Sequence, residues 1–139
     1  MVRPMVILAM AATLAACAPV ATTQVQVGPD MMLSVKVART ADEQRVGLTE
    51  RSDVGGGMLF LFEGQHPQQV WMAGMQVPLD VAWIADGAVV EVRTLDPCTL
   101  EDQDMCEQWT SPVPVDALLE VPAGTLRGVP VGTAVEVGE

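Results

Sequence analysis

Asp86-Gly87, set between the apolar run VAWIA and the alternating run VVEVRTL, constrains this chain more than any other pair of residues. Asp-Gly tolerates the positive φ angles of a type I′ turn, whose twist matches that of two antiparallel strands. Residues 81–85 and 89–95 are therefore predicted to pair as a hairpin, with Val90 and Val92 opposing Glu91 and Arg93 in facing. Similar short runs recur along the chain. LSVKVART alternates Leu33, Val35 and Val37 against Ser34, Lys36 and Ala38, the period of a half-buried strand. The run MLFLF at residues 58–62 follows a glycine-rich turn and is apolar throughout, which predicts a strand covered on both faces. Further strands are expected at 70–72, in ALLEVPAG and in TAVEV, with a turn of helix around 125–128.

One helix is predicted over residues 41–48. Thr40 and Glu43 have the spacing of a capping box, and Asp42 and Glu43 suit the positive end of a helix. Many short strands with one or two short helices imply a mainly β fold, a small closed or nearly closed β-barrel or sandwich.

The amino terminus reads differently. Arg3 precedes an apolar run over residues 4–16, shorter than the roughly 20 residues needed to cross a bilayer core. The run ends in LAAC, which resembles a bacterial lipobox with Cys17 as the lipidated residue. Residues 1–16 are thus expected to be a lipoprotein signal peptide, and residues 17–30 a flexible tether. The segment TTQVQV within the tether has an alternative reading as an edge strand. Residues 31–139 form the expected single β domain. With Cys17 acylated, Cys98 and Cys106 remain as a pair in an oxidising compartment and are expected to form a disulfide. Loss of the signal leaves six Lys and Arg against 18 Asp and Glu, a net charge of −12. Such a domain repels nucleic acid, which is excluded as a partner.

Five motifs taken together resemble the domain-of-unknown-function 192 family (DUF192): TADEQRVGLTER, GGGMLFLF, VWMAGMQVPLDVAWI, the two cysteines after Asp96-Pro97, and LLEVPAG followed by GVPVGTAVEV. The resemblance covers residues 33–137 and implies a small, mostly β barrel with one short helix, in proteins that are often exported. It implies no catalytic roles. The matching positions are Gly47, Leu48, Arg51, Gly57 to Phe60, Phe62, Trp71, Met72, Pro78 to Asp80, Glu120 and Gly124. Two places depart from the family pattern. Gly74-Met75 stands where Asn-Thr is usual, and Thr49 where methionine is usual.

Three chemistries compete for these residues. Met72, Met75 and His66 could ligate a soft metal. However, extended backbone would send the two methionines to opposite faces, and His66 beside Pro67 reads as a loop residue, so neither a metal nor a cofactor is expected. Asp80 and Glu120, each flanked by apolar residues, would need a partner if buried, and Arg51 is the natural one. As a pair across a cleft they would suit glycoside hydrolysis, the alternative reading of function. Neither a G-x-S-x-G nucleophile nor a phosphate-cradling glycine loop is present. The third chemistry is recognition, in a candidate pocket formed by Arg51, Trp71, Asp80 and Glu120. The sequence thus points to a monomeric, extracytoplasmic binding or accessory module without catalysis. It would be anchored to a membrane through Cys17, with a small ligand or an envelope protein as partner.

Overall fold

The computed structural model describes residues 22–49 and 51–138. The expected signal peptide, Cys17 and residues 17–21 of the tether lie outside that range. The rest of the tether expectation is corrected. Thr22–Val27 forms a strand, β1, paired antiparallel to β2 (Met31–Ala38) across a turn at Gly28. Its alternation buries Val25 and Val27 on one face, which ties the segment to the core. Nor is β1 an edge strand, because β9 (Val135–Val137) pairs along its other side.

After β2 the chain enters α1 (Ala41–Val46) through the predicted capping box. The Glu43 amide donates to the Thr40 hydroxyl at 3.2 Å, and the Glu43 carboxylate accepts from the Arg39 and Thr40 amides. The helix stops two residues earlier than expected, at Gly47, whose φ of 48° lies in the left-handed region. Leu48 then turns into the core.

The glycine-rich segment that follows permits close backbone approach. A Cβ on Gly56 would overlap the Ser34 carbonyl oxygen, and one on Gly57 the Glu120 carbonyl oxygen. The chain thereby reaches β3 (Met58–His66), which runs parallel to β2 and antiparallel to β8 (Val115–Pro122). On the other side of β8 lies β5 (Leu79–Ala85), joined to β6 (Ala88–Leu95) by the predicted hairpin. Asp86 and Gly87 have φ of 51° and 69°, as a type I′ turn requires.

The main sheet thus has the order β6-β5-β8-β3-β2-β1-β9, and it curls until its two ends meet. The Val135 amide donates to Gly87 O at 2.8 Å and the Val89 amide to Thr133 O at 2.9 Å. These bonds join the ends at one rim, which leaves a nearly closed barrel, mainly β with one short α-helix among the described residues.

Two apolar layers result. The inner one, inside the curl, contains Val25, Val35, Leu59, Leu119, Val121 and Leu126. The outer one contains Phe60, Met72, Val81, Trp83 and Leu118. A two-stranded sheet of β4 (Gln69–Trp71) and β7 (Gln108–Thr110) accompanies this outer layer. The Cys98–Cys106 disulfide is present, and Cys98 bonds back to Met72 through its amide, so the cystine loop is fastened to the chain leaving β4.

Candidate functional site

Strand alternation decides where the two carboxylates go. In β8, Leu118 belongs to the outer layer and Leu119 and Val121 to the inner, so Glu120 faces outward. In β5, Val81 and Trp83 are outer while Ala82 and Ile84 are inner, so Asp80 faces inward. The register agrees, pairing Glu120 with Val81 and Asp80 with Val121. Asp80 and Glu120 therefore lie on opposite faces of the sheet. The carboxylate pair of the alternative reading does not form, and the hydrolase reading built on it is withdrawn.

Asp80 is 1% exposed, and both its oxygens are engaged. Oδ1 accepts from the Thr94 hydroxyl at 2.6 Å, and Oδ2 accepts from the Leu126 amide at 2.8 Å. Leu126 is buried in the inner layer, within a run of turns over residues 122–129 that follows β8. Asp80 thus holds this plug in the barrel. Arg51 is not its partner. No ion pair joins Arg51 to Asp80 or Glu120 among the described residues, and its amide instead donates to Leu48 O at 3.3 Å. The candidate pocket of four residues therefore divides: Trp71 and Glu120 share one hollow, and Asp80 and Arg51 are elsewhere.

That hollow is a cavity of about 320 Å³ between α1, the outer face of the sheet and the segment carrying β4. Phe60 and Phe62 of β3, Leu118 and Glu120 of β8, and Leu79 of β5 line it from the sheet side. Residues 44–49 close one wall, and Gln68, Gln69, Trp71, Met72 and Met75 another. The volume lies at the small end of the range for ligand sites.

Glu120 is only 8% exposed. No described residue hydrogen-bonds or ion-pairs with its carboxyl, yet its oxygens are not sealed off from solvent, so they open into the cavity. Burial without a compensating donor pushes its pKa from 4.5 up to about 7. Arg45 is the other charged residue on the described wall, and its side chain is largely exposed, 3.7 Å from Asp42.

The aromatic and sulfur residues sort by exposure. Trp83 is core at 1% exposure, whereas Trp71 is 42% exposed beside the cavity. Trp109 is half-buried, with the Arg93 guanidinium 5.1 Å from its ring centroid. Met72 and Met75 do not face apart. The Met75 amide donates to Met72 O at 3.3 Å in a turn at Gly74, whose φ is 71°, and both side chains enter the outer layer. His66 ends β3, in a strand and not in a loop, and remains exposed and outside the cavity wall. The two departures from the DUF192 pattern are spatial neighbours. A Cβ on Gly74 would come within 2.8 Å of Thr49 Cγ2, at the edge of the same wall.

Sequence reading missed Phe60, Phe62 and the α1 residues as site members. Their signal was present in Phe-x-Phe, which puts both rings on one face of β3.

Residues 22–137 match the model of the DUF192 family, uncharacterised ACR. A proposed transcription regulator from Sinorhizobium meliloti 1021 has a similar structure, with TM-score 0.73 and 26% identity over 86% of this chain and 96% of that one. A protein of unknown function from Novosphingobium aromaticivorans DSM 12444 shares the fold, with TM-score 0.74 and 24% identity over 92% of this chain and 94% of that one. No curated protein matches the sequence significantly.

Proposed function

The chain belongs to the DUF192 family, and from that premise we propose that it is a ligand-binding accessory module at a bacterial cell envelope, without catalysis of its own. The observation that carries this reading is Glu120, a buried carboxyl with no partner among the described residues, open to an apolar cavity. An unpaired buried charge destabilises a fold, so a chain that keeps one in a hollow gains from whatever the hollow receives. Lipid on Cys17 would hold the module on the extracytoplasmic side of a membrane, and the Cys98–Cys106 disulfide supports that address. The regulator description of the Sinorhizobium protein does not suggest DNA as a partner here, because a chain of net charge −11 repels polyanions.

A thermal-shift screen of the purified full chain tests the reading. A ligand at a hundredfold excess over its Kd stabilises the protein by about 2.7 kcal/mol. Hits whose shift is lost in Trp71→Ala or Glu120→Gln support it, and hits indifferent to both changes contradict it. The anchor is checked separately by the mass of the Cys17 peptide.

A further inference from the structure

We propose that the cavity above Glu120 takes a small organic cation, an ammonium group on an apolar body. The inference rests on the ligand-binding reading above and names the ligand's chemical class.

Three observations converge on this class. The floor carries one carboxyl, 8% exposed, with no hydrogen bond or ion pair from a described residue. A largely desolvated carboxylate with no donor among the described residues gains more from a cation than from a neutral hydroxyl, because charge-assisted hydrogen bonds are about twice as strong as neutral ones. The walls are of the second required kind. Phe60, Phe62, Met72, Met75, Leu79 and Leu118 supply aromatic faces and polarisable thioethers, which accept both a hydrocarbon body and the positive edge of an ammonium group. Third, the whole chain carries a net charge of −11, which raises the local concentration of cations.

A metal ion fits less well. The described residues include no group of three or more His, Cys, Asp or Glu side chains placed to hold one, and a single carboxylate leaves most of a metal's coordination to water. Arg45 at the wall does not block a cation, since its exposed side chain lies 3.7 Å from Asp42 and solvent screens its field at the floor. No other charged described residue lines the cavity.

The test compares 2-phenylethylammonium with its neutral isostere 2-phenylethanol, by calorimetric titration of the full chain at pH 8 and pH 5.5. The ammonium should bind at least about tenfold tighter than the alcohol at pH 8, in keeping with a charge-assisted bond. Its affinity should fall about thirtyfold at pH 5.5, because the proton on Glu120 must leave first. The alcohol should show no such dependence. Glu120→Gln removes a buried charge without changing shape and should abolish both the preference for ammonium over the alcohol and its pH dependence. Equal affinity for the two probes, or an ammonium preference that survives Glu120→Gln, overturns the cation while leaving a binding cavity in place. If neither probe binds and Trp71→Ala leaves every screening hit unchanged, the cavity reading falls as well.

Discussion

Glu120 is the residue that most directly links stability to function. Its pKa of about 7 in the fold, against 4.5 as the ordinary value, means that the folded state holds a proton the unfolded chain has lost. The stabilising protonated form is fully present below about pH 4.5 and is lost as pH rises through about 7, a penalty of about 3 kcal/mol above that point. Glu120→Gln should therefore flatten the stability profile between pH 4.5 and 7 and raise stability at pH 8 by up to about 3 kcal/mol, read by urea denaturation across pH. Asp80 contributes to the fold through its hydrogen bonds. Asp80→Ala strands the Thr94 hydroxyl and the Leu126 amide, and should cost about 2 to 3 kcal/mol with no direct effect on ligand affinity at the Glu120 cavity. The apolar neighbours of both carboxylates in the sequence point toward burial without fixing it. They do not separate the two, because β5 and β8 are covered on both faces and so carry no alternation of polarity from which to read a facing.

Among elements, the crossover from β2 through α1 to β3 sets the architecture, since it makes the one parallel strand pair of the main sheet among the described residues and carries the cavity wall. Its end depends on Gly57, which has φ of 108° and no room for a Cβ against the Glu120 carbonyl. Gly57→Ala should lower stability by about 3 kcal/mol or more, seen as a large drop in Tm with little soluble protein. The cystine loop has a smaller role. Replacing Cys98 and Cys106 with serine should cost about 2.5 kcal/mol by releasing the constraint on the unfolded chain. The main sheet should persist, because the loop fastens to the β4 segment and not to the barrel. Far-ultraviolet circular dichroism with urea titration separates the two effects. The capping box, the Asp86-Gly87 hairpin and the disulfide were legible because each is a local pattern with a single geometric solution. In the sequence β1 fits a tether or an edge strand, because polar Thr22, Gln24 and Gln26 dominate its composition, and pairing on both sides shows why Val25 and Val27 are buried.

At the scale of the molecule, curling one sheet until its ends meet creates an inside that is filled and an outside that is not. The inner layer closes over Leu126, while the outer layer needs α1, the β4–β7 pair and the cystine loop to cover it, and a cavity remains where they meet. No local pattern in the sequence specifies that meeting point, which is why Arg51 and Asp80 were expected beside Trp71 and Glu120. Placing those four side chains requires the order of the strands, and that order is set by long-range pairing. The site thus depends on the complete fold holding one carboxyl in an apolar hollow. Titration of the Glu120 side-chain carboxyl by carbon-13 NMR in the intact folded protein tests this most directly. A midpoint near 7 is the expected result, and a midpoint near 4.5 would mean that the carboxyl is solvated or paired and that the hollow is no ligand site.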